Sequence, residues 1–93
     1  MTNKIYVFTL DGCGYCTLLK TKLHELSIPF VEIEVTVNPK IWDQVVKQTG
    51  HDALPTVFIQ KNGSDNGPVY VPGRDYEEQS ELIEILKNYI GED

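Results

Sequence analysis

Positive charge is scarce in this chain: 8 Lys and Arg stand against 14 Asp and Glu, a formal charge of −6 over 93 residues. That balance repels phosphate backbones and anionic bilayers, which argues against nucleic-acid or membrane-surface binding. No apolar run approaches the roughly 20 residues that span a bilayer. The start, Met1-Thr2-Asn3-Lys4, leads into a strand-like segment rather than a signal-peptide core, so a reducing cytosol is the expected compartment. Cysteine is limited to two residues, Cys13 and Cys16, and a bridge closing so short a loop would be a weak staple for a secreted fold. There is no second Cys pair, and neither His24 nor His51 stands at zinc-finger spacing to the first, so no metal site is expected. Linkers, internal repeats and low-complexity tracts are also missing, and 1–93 reads as one domain around one core.

Apolar and charged residues make up 41% and 24% of the chain, ordinary usage for a folded module. Ile5-Tyr6-Val7-Phe8-Thr9-Leu10 is a continuous β-branched and aromatic run, the pattern of a strand covered on both faces, and Asp11-Gly12 ends it with a turn. From Cys13 to Leu26, Leu18, Leu19, Leu23 and Leu26 recur at helical spacing. Val31-Glu32-Ile33-Glu34-Val35 alternates apolar with acidic, predicting a half-buried strand near a sheet edge whose glutamates face water. Asn38-Pro39 predicts an N-cap with proline at the first helical position, followed by the apolar stripe Ile41, Trp42, Val45 and Val46 and a stop at Gly50.

Thr56-Val57-Phe58-Ile59 reads as a third strand. The turn formers of Lys61–Pro68 predict a long hairpin loop leading to Val69-Tyr70-Val71. Asp75 with Glu78 three residues on predicts a capping box for a last helix whose inner face is Leu82, Ile83, Ile85, Leu86, Tyr89 and Ile90. The order βαβαββα predicts an α/β fold, a four-stranded mixed sheet flanked by three helices.

Cys13-Gly14-Tyr15-Cys16 carries the chemistry. A thiol at a helix start faces unpaired backbone N–H groups and the positive end of the helix dipole, which favours the thiolate, the only form that attacks disulfides. The thiol one turn on points inward. This assigns Cys13 as nucleophile and Cys16 as the resolving thiol that closes the intramolecular disulfide. Two unreactive thiols packed as small hydrophobes is the plainer alternative, opposed by the turn just before Cys13.

With Val7-Phe8 before the dithiol, Thr49-Gly50 ahead of Leu54-Pro55, Thr56-Val57-Phe58-Ile59 after it and Gly73-Arg74-Asp75 before the last helix, the chain resembles the glutaredoxin family over nearly its whole length. The resemblance implies a thioredoxin-like fold and a thiol–disulfide oxidoreductase with no tightly bound cofactor. It also implies glutathione as co-substrate, a cis bond at Pro55 beside the dithiol, and a Leu54 backbone that pairs with the substrate. Pro55 could also be a plain strand-initiating proline. Tyr15 would line the groove beside the thiol or be an exposed turn residue; Gly73, Arg74 and Asp75 would face glutathione, with Asp75 either cap alone or cap and ligand.

Three positions depart from the family. Leu10 and Asp52 stand where many members carry basic residues, and Trp42 where many carry glutamine, so the usual grip on a glutathione carboxylate is thinned. Lys40, Lys47 or Arg74 are candidates to replace it. The electron donor is thus either glutathione or thioredoxin reductase, and protein disulfides, mixed glutathione disulfides and ribonucleotide reductase are the implied acceptors, served by a monomer. Gly14, small where the family commonly has proline, leaves a further alternative, a dimer bridging an iron–sulfur cluster through the first cysteine and glutathione.

Overall fold

The computed structural model describes residues 3–61 and 67–91. Its elements are β1 (Lys4–Thr9), α1 (Gly14–Glu25), β2 (Val31–Glu34), α2 (Pro39–Thr49), β3 (Thr56–Gln60), β4 (Val69–Tyr70) and α3 (Gln79–Gly91), the predicted order. The strands form one mixed sheet in the order β2-β1-β3-β4. β1 runs parallel to β2, with Tyr6 opposite Val31, and antiparallel to β3, with Val7 opposite Val57; β3 and β4 are antiparallel. An inner strand needs apolar side chains on both faces, and β1 supplies them with Val7 and Phe8, both buried. β2 takes the edge.

Alternation along the strands divides the layers. Ile5 and Val7 of β1 and Val57 and Ile59 of β3 pack with Leu19 and Leu23 of α1 and with Leu82, Ile83 and Leu86 of α3. Phe8, on the opposite face, meets Trp42 of α2 with ring centroids 5.5 Å apart. Two helices therefore cover one face and one helix the other.

Several expectations are corrected. Leu18 and Leu26 are 60% and 41% exposed, because α1 buries only the narrow face of Cys16, Leu19 and Leu23. Val31, expected inside, is exposed at the strand entrance. α2 has the predicted stripe but buries none of its residues fully. Asn38 occupies the N-cap position without a side-chain cap; its Nδ2 donates instead to the Glu34 carbonyl at 3.1 Å. The Asp75–Glu78 capping box does not form, since α3 begins only at Gln79 and Glu81 reaches back to accept from the Glu77 and Glu78 N–H groups. Ile90 is 37% exposed, and Tyr76 joins the core in a place the pattern did not reveal. The middle of the predicted hairpin loop, residues 62–66, lies outside the described residues.

Candidate active site

Gly12 sits at φ 86°, a left-handed conformation that a side chain disfavours, and turns the chain from β1 into α1. The Cys13 N–H donates to the Leu10 carbonyl at 3.0 Å and closes that turn. Cys13 is the N-cap of α1, and its Sγ accepts the Cys16 N–H at 3.2 Å. No acidic residue occupies the first turn of the helix to oppose a negative sulfur. Cys16, one turn on, is 1% exposed, while Cys13 is half-buried. The two are joined in a disulfide with Cα atoms 5.3 Å apart. The pair thus offers one sulfur to the surface and keeps the other beneath it.

The Leu54–Pro55 peptide is cis. Beneath it the Tyr76 hydroxyl donates to the Pro55 carbonyl at 2.7 Å, and burial pushes that phenol well above its ordinary range, fixing it as a neutral donor. Tyr15, Leu18, Leu54, Pro55, Gly73 and Tyr76 line one cavity of about 670 Å³, with Glu77, Glu78 and Gln79 also at its wall. The Gln79 side-chain amide donates to the Tyr15 carbonyl at 2.7 Å, tying the entrance of α3 to the dithiol loop. Tyr15 itself is 70% exposed. Four of the residues singled out in the sequence, Tyr15, Leu54, Pro55 and Gly73, therefore share a wall. Leu18, Tyr76 and Gln79 were missed: Leu18 carries only a packing signal in sequence, and Tyr76 and Gln79 none.

Arg74 and Asp75 do not line this cavity. Gly73, at φ 84°, forms a turn in which the Asp75 carboxylate accepts the Val71 N–H at 2.8 Å and pairs with Arg74 at 2.8 Å; the Arg74 guanidinium also donates to the Val69 carbonyl. Partial burial pushes the Asp75 carboxyl up, but the Arg74 and Val71 hydrogen bonds, with the charges of Arg74 and His51, outweigh it and hold it below the usual carboxylate range. A carboxylate depressed in the folded state stabilises the fold above its unfolded pKa, and this contribution is lost as pH falls through the folded value. Asp75→Asn should accordingly lower the melting temperature at neutral pH. The gap to wild type should narrow as the pH is taken down through the carboxylate range, measured by thermal melts across pH.

The acidic side chains of β2 stay at the surface as expected, Glu32 exposed and Glu34 half-buried, but both are held by hydrogen bonds. Glu32 accepts from Lys20 at 2.8 Å and from the buried Thr9 hydroxyl at 2.7 Å, and these bonds, Lys20 first, hold it below the usual range. Glu34 accepts from the Asp11 N–H at 3.2 Å, from the Thr36 and Val37 N–H groups at 3.0 and 3.1 Å, and from the Thr36 hydroxyl. The Thr36 hydroxyl leads the causes that depress its carboxyl.

A family model described as Glutaredoxin matches residues 5–63. Among curated proteins, the chain is 32% identical over 63 residues to N-acetyl-S-hydroxy-L-cysteine reductase of Bacillus subtilis, covering 68% of each. It is 25% identical over 60 residues to mitochondrial glutaredoxin-2 of Bos taurus, an alignment that takes in 61% of this chain but spans 38% of that protein. Among solved structures, oxidized mitochondrial thioredoxin 3 of Saccharomyces cerevisiae superposes with a TM-score of 0.65 at 22% identity, over 92% of this chain and 77% of that one, a likeness of fold.

Proposed function

The chain belongs to the glutaredoxin family, and on that premise we propose that it is a thiol–disulfide oxidoreductase that reduces protein disulfides and mixed glutathione disulfides in a reducing cytosol. The observation that carries this reading is the split environment of the dithiol: Cys13 caps α1 and receives the Cys16 N–H, while Cys16 lies buried beneath it. The Cys13 thiolate attacks one sulfur of the substrate disulfide. An S–S bond forms to Cys13, the substrate bond breaks, and the leaving thiolate takes a proton from solvent. Cys16, deprotonated, then attacks the Cys13 sulfur and expels the second substrate thiolate, leaving the Cys13–Cys16 disulfide. Two electrons from an external thiol pair restore the dithiol. The cavity between Tyr15 and Pro55 receives the substrate segment beside the attacked sulfur.

Glutathione is the proposed reductant, but a weak ligand. Leu10 and Asp52 place no positive charge where a tripeptide carboxylate would be gripped, and the Arg74 guanidinium is already bound to Asp75 and Val69. Leu10→Lys with Asp52→Arg should lower the apparent KM for glutathione, each exposed charge contributing on the order of 0.2–1 kcal/mol, hence a few-fold gain in efficiency. The gain should shrink as salt rises. The deciding experiment follows NADPH oxidation through glutathione plus glutathione reductase beside thioredoxin reductase, with a protein disulfide as acceptor. No turnover with either donor would sink the proposal.

The Bacillus relative favours a second substrate, a small S-hydroxycysteine. There Cys13 would displace hydroxide from the S–OH group to form the mixed disulfide, and Cys16 would release the cysteine thiol. The same coupled assay with such a sulfenate as acceptor distinguishes the two.

A further inference from the structure

We propose that Glu34, at the end of β2, is a positioning residue for the dithiol, a carboxylate clamp that holds the turn delivering Cys13 against the β2–α2 connection. The inference rests on the oxidoreductase reading but adds a residue from outside the dithiol, the cis-proline loop and the Gly73 turn.

Two segments of the chain meet at this one side chain. One carboxylate oxygen accepts the N–H of Asp11, two residues before Cys13; the other accepts the Thr36 N–H, the Val37 N–H and the Thr36 hydroxyl. The Glu34 main-chain carbonyl adds acceptance of the Val37 and Asn38 N–H groups and of the Asn38 side-chain amide. Glu34 therefore gathers donors from the segment that enters α1 and from the segment that enters α2.

The clamp matters because the turn it holds has little else to fix it. Leu10, Asp11 and Gly12 are all exposed, and Gly12 has a left-handed backbone with open space around its α-carbon. A main-chain bond from the Cys13 N–H to the Leu10 carbonyl closes the turn. Losing the Asp11 anchor frees the turn to pivot at Gly12, and with it the orientation of the Cys13 sulfur toward the Cys16 N–H at 3.2 Å. A thiolate deprived of that donor is less favoured. A hydrogen-bond acceptor in this position sets the angle of the nucleophile without touching it, as supporting groups do elsewhere for reactive side chains.

A clamp and a mere charge make opposite predictions for Cys13. If Glu34 acted only as a negative charge near the thiolate, its removal would make Cys13 more acidic; if it acts by holding the turn, its removal makes Cys13 less acidic. The test compares Glu34→Ala, Thr36→Val and Glu32→Gln, each reduced under argon, by thiolate absorbance against pH, by kcat/KM for a protein disulfide and by thermal melting. Glu34→Ala should raise the pH at which Cys13 ionises and lower kcat/KM by about tenfold. Thr36→Val, which keeps the charge and removes one donor from the clamp, should move both in the same direction by less. Glu32→Gln, which removes an equal charge from the same strand without touching the turn, should leave Cys13 ionisation unchanged.

The proposal is overturned if Glu34→Ala leaves Cys13 ionisation where it was or makes it more acidic, or if activity falls only as the folded fraction falls. Should Glu34→Ala not fold, Thr36→Val decides alone, and an unshifted Cys13 in that variant overturns the clamp. A wild-type protein without turnover would remove the oxidoreductase reading, while the titration would still judge Glu34.

Discussion

Cys13→Ser should abolish exchange with every acceptor, a loss of at least about a thousandfold, because a serine hydroxyl is not ionised at neutral pH and no second sulfur reaches the surface to replace it. Cys16 cannot substitute: it is 1% exposed and lies inside the turn of α1. Cys16→Ser should behave differently. Cys13 keeps its N-cap position and its hydrogen bond from the main-chain N–H of residue 16, which does not depend on that residue's side chain, so attack on a disulfide still occurs. What is lost is the resolving step. The mixed disulfide on Cys13 should accumulate with protein substrates, visible as an adduct of the added mass. Release of glutathione from a mixed glutathione disulfide should persist, since a second glutathione can resolve it. Thiolate absorbance of the reduced wild type should show one thiol ionising well below the ordinary range, and that signal should vanish in Cys13→Ser alone. Equal losses in both variants with both acceptors would contradict the division of labour.

The different placement of the two sulfurs was legible from four letters, because a Cys-x-x-Cys at a turn-to-helix junction fixes which thiol caps the helix and which falls one turn inside. The strand placement was legible for a similar reason: a continuous apolar and β-branched run at Ile5–Leu10 beside an alternating one at Val31–Val35 separates an inner strand from an edge strand. The surface placement of the strand glutamates was legible, but not the hydrogen bonds that hold them. Glu32 and Glu34 look alike in an alternating strand, yet each finds donors, Lys20 and Thr9 for one, Asp11 and Thr36 for the other, that lie 23 or 12 positions away or just past the strand end. Periodicity reports which way a side chain faces, not which donors a neighbouring loop brings to it. Asp75 and Glu78 failed in the same way. Their spacing satisfies a capping box, but Asp75 is taken by Val71 and Arg74, and α3 waits for Gln79.

Leu18 and Leu19 show how narrow the buried stripe of α1 is, and they set up the largest stability effect expected away from the thiols. Both fit the apolar period; Leu19 is 0% exposed and belongs to the core with Val7, Val57 and Leu82, whereas Leu18 is 60% exposed and faces the cavity shared with Tyr15 and Pro55. Leu19→Ala removes methyl groups from a packed interior that cannot fully close over the gap, at a cost of about 2–5 kcal/mol. A domain of this size commands on the order of 5–15 kcal/mol in all, so the melting temperature should fall by roughly 8–40 °C. Leu18→Ala should change it little, within about 0.5 kcal/mol. Turnover should show the reverse. Measured well below either melting temperature, Leu19→Ala should retain wild-type kcat/KM because its side chain touches no surface a substrate can reach. Leu18→Ala should raise KM for a protein disulfide, having removed an apolar contact from the cavity wall, while its kcat stays near wild type because Cys13 keeps its place. Urea melts paired with steady-state kinetics on the two variants would separate the inner face of α1 from its outer one. A Leu18→Ala protein that melts as low as Leu19→Ala would place both leucines in the core and remove Leu18 from the proposed substrate cavity.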